Sequence, residues 1–253
     1  MAGTTFCDVP ELYNILNQYT RLSRLPEFNY LCLIGKRPVG SDCHIGSTRF
    51  KQIHCDSKGK FIMPESMRNI IVVCGWVGEA MECAEALTKS NRYPVQILKG
   101  GYQRFSALNP FFRTQNILHT IKELESLRPY TVELLPGQLY LGDYKQAINP
   151  HVLKDLKLSA LVNVSEDTSW KKGNHTILHI NVADSVDADL YSSFERICVF
   201  IGSRLNTGSA DEIFSSHRIS RCSAAAMAFL LHHLKYTLGA SYLYILSCLL
   251  WNV

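Results

Sequence analysis

The sequence has no Cys-x-x-Cys pair, no run of basic residues, no leader-like N-terminus and no long apolar stretch, and each absence removes a class of protein. Its nine cysteines stand at 7, 32, 43, 55, 74, 83, 198, 222 and 248. An odd set of scattered thiols does not make a disulfide framework, and it points to a reducing intracellular compartment. The cytoplasm is the natural one. Asp8 and Glu11, with no early arginine, give little of a mitochondrial presequence, although association with that organelle stays open. No basic segment followed by an apolar core opens the chain, so no secretory leader is read. Lys and Arg number 26 against 22 Asp and Glu, a net charge of +4. That balance, with no long lysine–arginine run, argues against nucleic acid as a partner. The stretch from Thr237 to Val253 carries no charge, but it is short of the roughly 20 residues that span a bilayer. No membrane span, cofactor or metal is expected.

What is present is a chain for two domains. With 253 residues and 47% hydrophobic content it can bury proper cores. Pro10 to Leu25 reads as a helix with Leu12, Ile15, Leu16 and Tyr19 on one face. Tyr30–Ile34, Asn69–Cys74 and Pro94–Leu98 are apolar runs of strand length, and Gly78 to Ser90 is a helix. The third run closes on a turn, Lys99-Gly100-Gly101. Strands alternating with helices predict an α/β fold with a parallel sheet. Arg128-Pro129 and Leu135-Pro136-Gly137 punctuate a join, because proline restricts the residue before it to extended shapes. The division is therefore placed at 1–128 and 129–253.

The densest chemistry lies in Ile213-Phe214-Ser215-Ser216-His217-Arg218-Ile219-Ser220-Arg221-Cys222, followed by a helix expected from Ser223 to Leu238. The stretch resembles the H-C-x5-R phosphate loop of cysteine phosphatases. A loop opening onto a helix N-terminus holds an anion with backbone N–H groups and the helix dipole. Phe214 stands in the histidine slot and Ser215 in the nucleophile slot; of the three defining residues only Arg221 remains. A serine hydroxyl needs an adjacent base to attack, and His217 is the only nearby candidate. Arg221 still offers a planar fork suited to phosphate, although pairing with a carboxylate would equally explain it.

The residues upstream narrow the resemblance. Leu139–Ala147 is similar to the opening strand and helix start of dual-specificity phosphatases, Leu161–Ser165 to their buried central strand, and Ile180–Asp184 to the strand and loop that carry their general acid. The chain is accordingly identified as a member of that superfamily, close to the STYX-like pseudophosphatases. The resemblance implies that Asp184 is a vestigial general acid, with Asp187 as a substitute. It also implies that residues 214–221 form a degenerate phosphate loop without catalytic residues. The first half resembles the rhodanese domain that precedes MAP-kinase phosphatases. Its own loop is degenerate: Gly75 falls on the cysteine position, Gly78 on the loop glycine and Ala80 on the arginine. Cys74 stands one residue early.

Several departures bear on function. Arg218 replaces a loop glycine. Cys222 follows the arginine, where the family has serine. The strand feeding the loop reads Ala210-Asp211-Glu212-Ile213, and buried carboxylates are costly without partners, so this strand is the weakest element of the fold assignment. The second domain is expected to lack its final helices, the tail from Gly239 packing instead as a core helix. The resulting expectation is a non-enzymatic regulator that binds an active phosphatase, a phosphoprotein or a kinase of a signalling pathway. Two alternatives stand beside it: hydrolysis through Cys222 or Ser215, and sulfur transfer through Cys74.

Overall fold

The structure, a computed structural model, describes residues 4–17, 29–33, 44–45, 69–73, 77–90, 95–114, 129–168, 175–216 and 219–249. The chain divides into two compact units, Met1–Arg128 and Pro129–Val253.

In the first unit, β1 (Thr4–Cys7), β2 (Asn29–Leu33), β4 (Asn69–Val73) and β5 (Val95–Leu98) form a sheet in the order β1-β5-β4-β2. All its ladders are parallel. The short strands β3 (His44–Ile45) and β6 (Arg113–Thr114) pair antiparallel. Helix α1 (Val9–Leu16) starts at Asp8, whose N–H donates to Glu11 Oε2 at 3.3 Å, with Pro10 in the first turn. These are start signals that satisfy donors the helix leaves open. It buries Leu12, Tyr13, Ile15 and Leu16; the rest of the helix expected to Leu25 lies outside the described residues. Helix α2 (Val77–Ser90) buries Ala80, Ala84 and Leu87. The Gly100-Gly101 turn leads into a helix the sequence does not announce, α3 (Gly101–Leu108). Gly100 is required there: its φ is +77°, and a Cβ would lie 2.5 Å from Arg104 Cδ.

The second unit is built on β7 (Val132–Leu135), β8 (Leu139–Asp143), β9 (Leu158–Asn163), β10 (Thr176–His179) and β11 (Ala210–Ser215). Their order is β10-β9-β11-β8-β7. Every ladder is parallel except β7 with β8 at one edge. Between its strands run α4 (Tyr144–Ala147), α5 (Pro150–Asp155) and α6 (Phe194–Leu205), and after β11 come α7 (Ile219–His233) and α8 (Leu238–Leu249). Leu139, Leu141, Val162 and Ile213 from the sheet pack with Ile197 and Ile201 of α6 and Phe229 and Leu230 of α7 in one core. Apolar runs buried on both sides are what central parallel strands need.

Strand β11 forms in spite of its carboxylates: it lies in the sheet between β8 and β9, with all six residues buried. Its two carboxylates are accommodated differently. Asp211 has an ion partner, Arg204 of α6, whose Nε is 3.5 Å from Oδ1. The Glu212 carboxyl is wholly buried with no hydrogen-bond partner among the described residues. It occupies the space left by the missing side chain of Gly142 in β8, where a Cβ would lie 2.0 Å from Glu212 Oε1. Burial, and then the charge of Asp143, raise this carboxyl well above its ordinary range. A shift in this direction favours the neutral acid, the form that costs less to bury.

The helix after the loop also differs from expectation. It runs from Ile219 to His233 instead of continuing to Leu238, and Lys235 adopts φ 58° at the break. The apolar tail then forms α8, which buries Ser241, Ile245 and Cys248. Tyr244 Oη donates to the Leu134 carbonyl of β7. The other face is uncovered, with Leu238 61% and Leu243 64% exposed. Among the described residues no helix is long and apolar enough to cross a membrane.

Candidate functional site

Parallel strands bring their C-terminal ends to one edge of the sheet, and the candidate loop leaves from that edge. Ser215 at the end of β11 sits in register with Asp143 at the end of β8, and Phe214 with Asn163 at the end of β9. Phe214 is buried, and its carbonyl accepts from Val164 N at 2.9 Å. Ser215 is buried and Ser216 half-buried. His217 and Arg218 lie outside the described residues. Helix α7 then begins at Ile219, with Ser220 exposed.

Arg221 in the first turn of α7 is only 8% exposed. Its Nη1 donates to the Val182 carbonyl at 2.7 Å, and its Nε lies 3.6 Å from Asp184 Oδ1. Neither Nε nor Nη2 has a hydrogen-bond partner among the described residues. The structure thus brings together two residues singled out 37 positions apart in the chain. The segment that carries Val182 and Asp184 is anchored where it leaves the sheet. Ile180 N donates to the Asn163 carbonyl at 2.8 Å, and Ser165 Oγ donates to Asn163 Oδ1 at 2.6 Å. The His179 ring bonds the Ser165 carbonyl through Nε2 at 2.7 Å. Nothing in the sequence marks Val182 as a partner of the arginine, because a backbone carbonyl carries no residue signature.

Cys222 does not have the surroundings of a nucleophile. It is fully buried, and its thiol donates toward Ser215 Oγ at 3.2 Å. Burial pushes the thiol up to about 12, against the weaker pull of the Ser215 hydrogen bond and of Arg221. Reactive thiols are displaced the other way and are reachable from solvent. Its place at a helix N-terminus is thus outweighed by complete burial. Cys74 and Gly75 lie outside the described residues; Gly78 and Ala80 lie in α2, Ala80 buried in the core. Among the described residues no group of three or more histidine, cysteine or acidic side chains is placed to hold a metal.

Residues 139–247 match the family profile of the dual specificity phosphatase catalytic domain. The chain carries a dual specificity phosphatase domain. The dual specificity protein phosphatase 1-A of Xenopus laevis is 30% identical over 174 residues, covering 60% of this chain and 47% of that protein. Human dual specificity protein phosphatase 5 is 35% identical over 117 residues, covering 45% of this chain and 30% of its own length. The chain thus spans less than half the length of either relative. Among solved structures, the human tyrosine phosphatase-like serine/threonine/tyrosine-interacting protein matches with TM-score 0.43 and 20% identity. That match covers 49% of this chain and 89% of the other. In the phosphatase domain, the buried arginine, its carbonyl anchor and the neighbouring aspartate all lie within the matched residues.

Proposed function

We propose that the phosphatase domain binds phosphorylated groups without hydrolysing them, and that the protein acts as a regulatory partner of a phosphoprotein, a kinase or an active phosphatase. One observation carries this reading. Arg221 is held in place with two guanidinium nitrogens that have no hydrogen-bond acceptor among the described residues, while the slots that the resemblance assigns to histidine and nucleophile hold buried Phe214 and Ser215. Binding needs the arginine; hydrolysis also needs an activated nucleophile, and a serine hydroxyl is a far weaker acid than the cysteine thiol it replaces. Asp184 stands where the family's general acid is expected, with no thiolate to serve.

The reading extends to the first unit. The match to the Xenopus relative covers 60% of the chain, more than Pro129–Val253 can supply alone. This supports a common ancestry that reaches into Met1–Arg128, a unit we read as rhodanese-like and without sulfur-transfer activity.

Purified protein is expected to turn over no p-nitrophenyl phosphate, and activity abolished by Ser215→Ala would overturn this. In a pull-down of phosphorylated partners, Arg221→Ala is expected to weaken recovery at least about tenfold, since a charge-assisted hydrogen bond contributes roughly 1.5–3 kcal/mol. Unchanged recovery, with circular dichroism showing a folded variant, would instead place binding on other surfaces.

A further inference from the structure

We propose that Asp184 is a resident ligand of Arg221, a latch that an incoming phosphate must displace, so that the site is closed by its own chain when empty. The proposal rests on the phosphate-binding reading above and adds to it a competitor.

The geometry points to exchange, not to a fixed structural pair. At 3.6 Å the Arg221 Nε–Asp184 Oδ1 contact is an ion pair without a hydrogen bond. The carboxylate neutralises the guanidinium charge but leaves Nε and Nη2 without hydrogen-bond acceptors among the described residues. Buried donors in that state are costly. A phosphomonoester has several acceptor oxygens, so it can take both nitrogens at once and replace the charge of Asp184 as well.

The two partners are also unequally held. Arg221 is nine-tenths buried and tied by Nη1 to the Val182 carbonyl. The Asp184 side chain is 42% exposed, so it can turn into water at little cost in burial. Its backbone need not move, because the segment remains fastened through Ile180 N to Asn163. The anion that opens the latch is therefore one with at least two oxygens spaced for the arginine fork. A halide ion, with one centre, satisfies a single donor.

The test is calorimetric titration of the full chain with phenyl phosphate, in wild type, Asp184→Asn, Asp189→Asn and Arg221→Ala. Asparagine keeps the shape at 184 and removes the charge. Asp189, exposed on the same loop, controls for general repulsion; its Oδ1 accepts from Ser192 N at 3.1 Å, and asparagine keeps that acceptor. A half-exposed ion pair is worth little, so Asp184→Asn is expected to tighten binding roughly threefold or more. Asp189→Asn should stay within about twofold, because among the described residues Asp189 makes no ion pair with Arg221 and its exposed charge is screened. Arg221→Ala should lose binding. The Arg221 Nε resonance of the ligand-free protein should shift in Asp184→Asn and not in Asp189→Asn. Binding that depends on Arg221 but is no tighter in Asp184→Asn overturns the latch and leaves the phosphate reading standing. Equal tightening in the two asparagine variants assigns the effect to general repulsion and also overturns it. Absence of binding in both wild type and Asp184→Asn rejects the phosphate reading itself, and the latch with it.

Discussion

Glu212 is the residue with the largest unmet need in the phosphatase domain, and its consequence is a dependence of stability on pH. Its folded carboxyl is raised by burial, and neighbouring Asp211 is raised to about 6, burial outweighing Arg204. An unfolded aspartate ionises near pH ~3.9. Between that value and about 6 the unfolded chain has released a proton that folded Asp211 still holds. Stability must then fall as pH rises through this window, by up to roughly 3 kcal/mol for Asp211, and it falls further as pH rises through the range over which Glu212 ionises. In urea titrations at pH 4, 6 and 8, wild type is expected to weaken from low to high pH, and Asp211→Asn with Glu212→Gln to flatten the slope. A wild-type profile that rises over this range would show both carboxylates ionised and paired in the native state. The same pocket gives a second expectation. Gly142→Ala places a methyl 2.0 Å from Glu212 Oε1 and 2.7 Å from Thr131 Cγ2. It should cost about 1–3 kcal/mol by overpacking, seen as a lower urea midpoint with unchanged slope.

At the scale of elements, α8 is anchored by one face only. Ile245 is in the core while Leu243 is mostly exposed. Ile245→Ala should therefore cost about 2–4 kcal/mol, and Leu243→Ala about 0.5 kcal/mol or less. Equal and small effects in chemical denaturation would show that the helix does not dock. The strands β2, β4 and β5 are legible in the sequence because each is an apolar run of strand length, and β8 and β9 through the family resemblance. Others are not. Thr-Thr-Phe-Cys of β1 is too short to stand out, and α3 hides behind two glycines that read as a turn. Helix α6 passes unnoticed between the loop signals on either side. The segment 180–184, expected to hold a strand end and a loop, lies wholly after strand β10 (Thr176–His179), because the apolar pattern continues past the ladder through Ile180 and Val182. The strand Ala210–Ser215 is hard to read for a different reason: its carboxylates are accommodated by Arg204 on a helix and a glycine on the neighbouring strand. Both are long-range facts. At the site, Arg221 and Asp184 stand out in sequence as members of motifs, whereas the Val182 carbonyl that fixes the guanidinium does not.

The whole molecule is two compact units, each with its own sheet, and this sets how it should unfold. Scanning calorimetry is expected to resolve two transitions, only one of which moves when Asp211 and Glu212 are neutralised. A single transition that shifts as one would show that the units melt cooperatively. The outer face of α8 has a different, practical meaning. Leu238, Tyr242 and Leu243 are exposed on a helix without a charged residue, while the net charge of the chain is only +4. Repulsion between molecules is weak, and cohesion between such faces is strengthened by salts excluded from protein surfaces. The protein should be retained on a phenyl resin at modest ammonium sulfate and should salt out early. Handling it well is a matter of choosing the counter-ion before choosing the buffer.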